Sequence, residues 1–169
     1  MLFMEKTKKI VKRSNTYENL TGKYEPEQPL AVRKILTAQE KKSKYTLEIS
    51  ENKKSVMFCV DGNIIKEGQK CDKLILVDTS SSNDENSWTE IFLELKGTNI
   101  SHAIDQLRET LKKDIFKHPS NKSIRARIVA VSFPSSKSNP LMESAKREFA
   151  GKPYYCDLRG MKTGQKDKV

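Results

Sequence analysis

The chain has 169 residues, 32% of them charged, and a net charge of +10 at neutral pH. This length is typical of one domain with its own hydrophobic core, and the sequence contains no apolar run long enough to span a bilayer. The three cysteines, Cys59, Cys71 and Cys156, form no close pair and no metal-ligand spacing, which argues against a disulfide scaffold or a zinc ribbon. We therefore expect a soluble cytoplasmic protein without a membrane partner.

The charge is distributed unevenly along the chain. Residues 1–54 carry 13 Lys and Arg against 7 Asp and Glu, and residues 115–169 carry 12 against 4. Between them, residues 55–114 carry 7 against 11. An acidic centre between basic flanks suits a protein that holds a divalent cation while it contacts a polyanion such as nucleic acid. A generally lysine-rich composition is the simpler explanation of the same imbalance.

The two ends of the chain are predicted to lie outside the main domain. Residues 1–24 are polar and basic and are expected to form a basic arm or a short helix, and the main domain is expected over residues 25–160. Its first element is predicted to be a helix with one apolar face, formed by Leu30, Ala31, Ile35 and Ala38. The basic tail, residues 161–169, is expected to be disordered.

The middle of the chain alternates strand and helix patterns. Strands are predicted at 45–49, 56–60, 73–77 and 88–97, followed by an amphipathic helix at 100–116 capped by Asn99 or Ser101, a strand at 125–133, a short helix at 141–150 and a last strand at 154–158. A helix between two strands predicts one parallel crossover on an otherwise antiparallel sheet. The predicted fold class is α/β, a three-layer-like sandwich in which helices flank a central mixed β-sheet.

Glu94 and Lys96 stand at the end of the most apolar of these strands. Because side chains alternate along a strand, these two emerge on the same face, whereas Leu95 points to the other. A carboxylate and an ammonium group are costly to place at the end of an apolar strand without a partner. A metal ion is such a partner, and Asp72, at the start of the preceding apolar run, supplies a second carboxylate.

Metal-assisted hydrolysis of a phosphodiester is the chemistry that these residues suit. Mg²⁺ prefers oxygen ligands and retains several waters, and Mn²⁺ can substitute for it. Asp72 and Glu94 would ligate the cation, and the carbonyl of Leu95 can add a third ligand. Lys96 would orient or deprotonate the attacking water, or stabilise charge on the phosphate.

The spacing of an acid and a lysine two residues apart is not specific by itself. It occurs three times in the chain, at Glu40–Lys42, Glu51–Lys53 and Glu94–Lys96. Only the third pair stands at the end of an apolar strand, and only this strand is preceded by another apolar run that begins with an acid, Asp72. The simpler interpretation of that pair is two solvated residues at the end of a strand.

Three segments taken together, Gly68–Leu76, Phe92–Gly97 and Ala103–Leu107, resemble the PD-(D/E)XK nuclease superfamily. The motif-bearing resemblance covers roughly residues 55–115, and the subgroup stays unassigned. It implies a restriction-endonuclease-like fold for a nuclease-like domain at 25–160. It also implies a Mg²⁺-dependent endonuclease that acts on DNA rather than RNA, and a homodimer.

The same resemblance assigns roles to individual residues. Asp72 and Glu94 would be metal ligands, Lys96 the catalytic lysine, and Gln106 a helix glutamine that orders the site or contacts the substrate. Members of the superfamily often add an acid from the first helix. Our choice for that acid is Glu40, with the alternatives Glu18 and Glu27.

Basic residues in the last third of the chain are candidates for contacts with nucleic acid. Each is by itself more simply a solvated surface charge, but as a set they can contact a phosphate backbone: Arg125, Arg127, Lys146, Arg147, Lys152 and Arg159. The two histidines, His102 and His118, are isolated in the sequence and are expected to be surface groups rather than general bases.

Two other functions stay open at this point. The first is a catalytically inactive module on the same fold that binds nucleic acid or another protein, although the presence of all three residues Asp72, Glu94 and Lys96 argues against it. The second is an unrelated basic adaptor in which Glu94 and Lys96 form a salt bridge. Such a pair would tolerate joint replacement by apolar residues.

Overall fold

Largely apolar central strands form a six-stranded mixed sheet, the large sheet. The computed structural model describes residues 14–95, 99–131 and 139–169. In spatial order the strands of the large sheet are β1 (Gln28–Val32), β4 (Lys54–Cys59), β5 (Lys73–Asp78), β6 (Trp88–Glu94), β7 (Asn121–Ala130) and β8 (Cys156–Lys162). The first four pair antiparallel, whereas β6, β7 and β8 pair parallel.

The described helices cover one face of the large sheet, which we call the helix face. They are α1 (Thr16–Thr21), α2 (Ile100–Leu111) and α3 (Pro140–Ala150), with a 3-10 turn at Asp114–Phe116 after α2. Their buried side chains join Leu74, Leu76 and Phe92 in one hydrophobic cluster. Helix α2 starts at Asn99, whose side chain accepts a hydrogen bond from the His102 N–H at 3.1 Å, so one of the two predicted caps is confirmed.

A three-stranded sheet, the small sheet, covers the opposite face of the large one. Its strands are β2 (Ile35–Glu40), β3 (Ser43–Glu48) and β9 (Lys166–Lys168), with β2 and β3 antiparallel and β3 and β9 parallel. Leu36 and Leu47 of the small sheet share a cluster with Ile75 and Leu93 of the large one. Strands β5 and β6 are therefore buried on both faces, and alternate residues along them belong to two different cores.

The predicted α/β class with a mixed sheet is confirmed, and so is the parallel crossover from β6 through α2 to β7. A second parallel crossover, from β7 through α3 to β8, was not predicted. The sandwich also differs from the predicted one, because helices lie on one face of the large sheet and the small sheet lies on the other. None of the described helices combines the length and the apolar character needed to cross a bilayer.

The helix predicted from Leu30 to Ala38 is wrong, because this segment forms β1 and β2. The apolar spacing at 30, 31, 35 and 38 fits a helical face, but Leu36 and Ala38 are the residues that bury, two positions apart, as in a strand. They pair with Leu47 and Tyr45 across a hairpin whose turn contains Lys41 with a φ of 50°. Tertiary pairing with β3 overrides the local pattern.

The disordered tail predicted for residues 161–169 is also wrong. Met161 and Lys162 belong to β8, and Lys166–Lys168 form β9. The final residue is bonded as well, since the Val169 N–H donates to the Glu48 carbonyl at 3.0 Å. Nearer the start of the chain, α1 is a short helix within the segment predicted to be an arm or a short helix.

Candidate active site

Asp72 immediately precedes β5, and its backbone is bonded to both neighbouring strands. Its N–H donates to the Leu93 carbonyl at 2.9 Å, and its carbonyl accepts from the Val60 N–H at 2.9 Å. The side chain is 4% exposed, and its Oδ2 accepts the Leu95 N–H at 2.7 Å. The carboxylate is thus held against the backbone that follows the last residue of β6.

Glu94 is that last residue of β6, and it is also 4% exposed. Alternation along the strand puts its side chain on the same face as Phe92, the helix face. Both carboxylates act on the thiol of Cys71: burial raises the pKa of that thiol, and the negative charges of Glu94 and Asp72 raise it further. Cys71 is therefore a neutral thiol at physiological pH. Asp72 accepts the N–H of Leu95, the residue after Glu94, so the two acids lie near each other, and their shared binding of a metal ion stays a prediction.

Lys96, the predicted catalytic lysine, lies outside the described residues, together with residues 97 and 98. Its role stays a prediction. Leu95, the predicted carbonyl ligand, is the last described residue of that segment and is buried. Its N–H is the group that donates to Asp72.

Helix α2 holds the segment in front of Asp72 through two residues one turn apart. The amide oxygen of Gln106 accepts the Lys70 N–H at 2.7 Å, and the hydroxyl of Thr110 accepts the Cys71 N–H at 2.9 Å. Thr110 in turn donates to the Gln106 carbonyl at 2.7 Å. Gln106 thus contacts the backbone two residues before Asp72. Its predicted role in ordering the site is compatible with this contact and stays a prediction.

The two carboxylates fit a magnesium ion by donor chemistry. A protein commonly binds Mg²⁺ through only one or two carboxylates, with waters and substrate phosphates as the other ligands. A carboxylate has about four lone-pair sites, so the hydrogen bond from Leu95 does not exhaust the capacity of Asp72. Within residues 14–95, 99–131 and 139–169 there is no group of three or more His, Cys, Asp or Glu side chains that could hold a metal.

The acid predicted to complete the site is not brought to it. Glu40 and Glu27 both contact the ammonium of Lys73, at 3.6 Å and 2.6 Å. Lys73 is the residue after Asp72, so alternation turns it to the face covered by the small sheet. Glu18, the third alternative, is an exposed residue of α1.

Arg127 is not a surface contact for nucleic acid, contrary to the prediction. It is 1% exposed, and its guanidinium donates to Asp167 at 2.7 Å and to Asp157 at 3.2 Å. The Tyr45 hydroxyl donates to the same Asp167 oxygen at 2.8 Å. Burial raises the pKa of Asp167, but the hydrogen bond and charge of Arg127 outweigh it, so the pKa lies below its ordinary value. This buried network, the Arg127 cluster, joins β7 and β8 to the small sheet.

The other predicted phosphate contacts do not share one face. Arg125 and Arg159 lie beside the Arg127 cluster, where Arg125 donates to the Lys168 carbonyl at 2.6 Å and Arg159 is 3.2 Å from Asp157. Lys146 and Arg147 lie on α3, which covers the helix face, and Lys152 follows it. Any nucleic-acid surface built from these residues would therefore use a subset of them.

Sequence reasoning missed Thr110, Glu90 and the structural role of His118. Thr110 sits four residues after Gln106 on the buried side of α2, and this spacing is the signal that could have identified it. His118 bonds Ser120 through Nδ1 at 2.8 Å and Ser14 through Nε2 at 3.0 Å, so it is more than an isolated surface group. Glu90 interrupts the apolar face of β6 and is fully buried.

Comparison with known proteins adds no relative. No family model matches the chain, and no curated protein and no solved structure is significantly similar to it.

Proposed function

We propose that this protein is a metal-dependent nuclease that hydrolyses phosphodiester bonds, with DNA rather than RNA as the substrate and a restriction-endonuclease-like fold. The observation that carries the proposal is the hydrogen bond from the Leu95 N–H to the Asp72 carboxylate, next to Glu94. Two buried acids stand at adjoining strand ends, and the carboxylate of Asp72 is fixed by a backbone contact, which suits a divalent cation. The meander β4–β5–β6 followed by a helix and a parallel strand is compatible with the proposed fold.

Each residue of the site has a separate proposed role. Asp72 and Glu94 would hold the cation, which when bound stabilises charge on the phosphate and lowers the pKa of a bound water. The Leu95 N–H fixes the orientation of the Asp72 carboxylate, and Gln106 and Thr110 fix the backbone before it. Lys96 has its proposed role, orienting or deprotonating the water, from the sequence alone.

Cysteine chemistry does not compete with this mechanism at the same place. Cys71 is fully buried, and burial raises the pKa of its thiol well above the ordinary value. A neutral buried thiol is a poor nucleophile. The Cys71 side chain therefore packs in the core of the helix face and does not attack the substrate.

Cleavage assays with single-residue variants test the proposal. The purified protein is incubated with circular, linear and single-stranded DNA and with RNA, in Mg²⁺, Mn²⁺ or chelator. We expect Mg²⁺-dependent cleavage of DNA that falls by at least about 100-fold in Asp72→Asn, Glu94→Gln and Lys96→Ala, the size of effect seen when one charge-stabilising group is removed. Asp72→Asn keeps an oxygen that accepts the Leu95 N–H, so the local fold is retained.

Matched controls come from the exposed loop between β5 and β6. Asp84→Asn and Glu85→Gln make the same chemical changes at solvated positions and should leave cleavage unchanged. Binding of Mn²⁺, followed by its electron paramagnetic resonance signal, should be lost in Asp72→Asn and Glu94→Gln but not in the controls. Cleavage that survives chelator, or that the three site variants leave intact, contradicts the proposal. Binding of DNA without cleavage or Mn²⁺ binding would favour the inactive module instead.

A further inference from the structure

A pocket lies on the helix face, away from Asp72 and Glu94. It has a volume of about 330 Å³ and lies between β6, the start of β7, the 3-10 turn and the segment before β8. Glu90 and Asn121 line it, together with the aromatic rings of Phe92, Phe116 and Tyr154. Glu90 is four residues from Glu94 on the same strand, so the two residues are about 13 Å apart along the backbone at ~3.3 Å per residue.

Glu90 is an acid in a position where the fold alone favours an apolar residue. It lies between Trp88 and Phe92 on the helix face of β6 and is 2% exposed. Its Oε2 is fully buried and has no hydrogen-bond partner among the described residues. Burying a carboxyl group without a partner is destabilising, and the pairing of β6 with β5 and β7 does not need one.

Asn121 presents a second buried acceptor to the same pocket. Its Nδ2 donates to the Thr16 hydroxyl at 2.9 Å and to the Phe116 carbonyl at 3.1 Å. A carbonyl only accepts, so Nδ2 must face Phe116, and this contact fixes the orientation of the amide. The other end, Oδ1, is buried without a partner in the described part of the chain.

The remaining walls are largely apolar, and the side chains of His118 and Lys117 at the pocket have partners. The rings of Phe92 and Phe116 pack edge to face with centroids 5.3 Å apart. Both ring nitrogens of His118 are hydrogen-bonded, and the rim ammonium of Lys117 is 3.4 Å from Asp114. The pocket therefore offers two oxygen acceptors inside an aromatic enclosure. A hard metal ion would need several retained waters beside two protein oxygens, which these aromatic walls suit poorly, whereas an N–H donor on a flat apolar body matches both the acceptors and the rings.

We propose that this pocket binds a small aromatic cation with N–H donors, such as an amidine, guanidine or amine, through Glu90 and Asn121. The donors pair with the Glu90 carboxylate and the Asn121 oxygen, and the ring packs against Phe92, Phe116 and Tyr154. The site is distinct from the proposed hydrolytic site and does not depend on it.

Binding is coupled to one proton. Burial raises the pKa of Glu90 well above its ordinary value, which favours the protonated carboxyl group in the absence of ligand. When the cation binds, the O–H bond breaks, the proton leaves to the buffer, and the carboxylate pairs with the cation. Affinity should therefore rise with pH. The other ionisable groups around the pocket are Lys117, His118, Tyr154 and the Cys156 thiol, which senses the charge of Glu90.

Benzamidine is the probe, because it joins a phenyl ring to a planar amidinium. Isothermal titration of the full chain should give saturable binding with one site per chain, tighter at pH 8 than at pH 6. Benzamide, neutral with the same shape, and benzoate, with the opposite charge, should bind at least about tenfold more weakly. Both compounds keep the phenyl ring of benzamidine and change only the group that would face Glu90.

Glu90→Gln keeps the shape of the side chain and removes the charge. We expect it to weaken benzamidine binding by at least about tenfold and to abolish the dependence on pH, whereas Glu85→Gln in the exposed loop should bind like the unmodified protein. Circular dichroism and the unfolding midpoint show that each variant is folded. Absence of saturable binding, equal binding of benzoate, or unchanged binding in folded Glu90→Gln would overturn the proposal. Loss of DNA cleavage in the Asp72 or Glu94 variants has no bearing on it.

Discussion

The two faces of the large sheet differ in the groups that surround their buried charged side chains. On the face covered by the small sheet, Arg127 meets Asp167 and Asp157, and Lys73 meets Glu27. On the helix face, Asp72 accepts a backbone N–H and Glu90 faces an aromatic pocket. Opposite charges that satisfy each other tie β7, β8 and β9 together. A buried acid such as Glu90, which faces aromatic rings, is suited to receive a cation from outside.

The largest effect on stability is expected from the Arg127 cluster. Arg127→Ala would leave Asp167 buried without its main partner and should lower the free energy of unfolding by about 3–5 kcal/mol. Arg159→Ala removes an exposed arginine from the neighbouring strand and should change it by less than about 0.5 kcal/mol. Urea denaturation measures both. Equal effects would mean that Arg127 is a surface residue, as first predicted from the sequence.

Neutralising Asp167 should have the next largest effect, and the effect should depend on pH. The pKa of Asp167 lies below its ordinary value, so its stabilising contribution is present above the unfolded pKa of about 3.9 and is lost as the pH falls through the folded pKa. Asp167→Asn should lower stability by about 1.5–3 kcal/mol at pH 7. The difference between the two proteins should shrink below about pH 4. A cost that does not change between pH 7 and pH 3 would contradict the ion pair.

Removal of the Thr110 hydroxyl tests how the helix face supports its acids. Thr110→Val leaves the buried Cys71 N–H without its acceptor and should cost about 1–3 kcal/mol of stability. DNA cleavage should fall too, because Cys71 precedes Asp72. Thr110→Ser keeps a hydroxyl and should recover most of both losses. If serine and valine behave alike, the loss comes from packing and not from the hydrogen bond.

Glu90→Gln should raise the free energy of unfolding, whereas Asp167→Asn should lower it. Burial raises the pKa of Glu90 in the folded chain above its value in the unfolded chain, which is about 4.3. At a pH between these two pKa values, the folded chain keeps the proton of Glu90 and the unfolded chain has lost it. Stability is therefore lost as the pH rises through that window, and glutamine removes the loss. The variant should gain stability relative to the unmodified protein from pH 4 to pH 7. Thermal unfolding across this range measures it, and a gain that is constant with pH would contradict a raised pKa.

The smallest effect is expected from Glu40→Gln. Glu40 is 3.6 Å from Lys73 on the small-sheet face, and its partly exposed side chain has Glu27 as a competitor at 2.6 Å. Stability should change by less than about 0.5 kcal/mol, and DNA cleavage should stay within twofold. A tenfold loss of cleavage would make Glu40 the third acid of the site after all and would break the separation of the two faces.

Much of the centre of the molecule could be predicted because its signals are local. Strands β3 to β7 and helix α2 follow from apolar spacing, and the positions of Asp72 and Glu94 at strand ends follow with them. The segment at 28–40 could not be predicted, since its spacing fits a helix and only the pairing with β3 selects a strand. Strand β9 could not be predicted either, because its partner β3 is more than 100 residues away in sequence.

The sequence by itself determined which side chains lie on the same face of each strand, because alternation is a property of the extended backbone. Asp72 and Glu94 could thus be placed at strand ends from the sequence, but the antiparallel pairing of β5 with β6 is what brings them near each other. Only the tertiary structure decided what covers each face. The small sheet turns Arg127 from a candidate surface charge into a buried ion pair, and the 3-10 turn encloses Glu90 in a pocket. Burial depends on elements distant in the chain, and no local pattern contains that information.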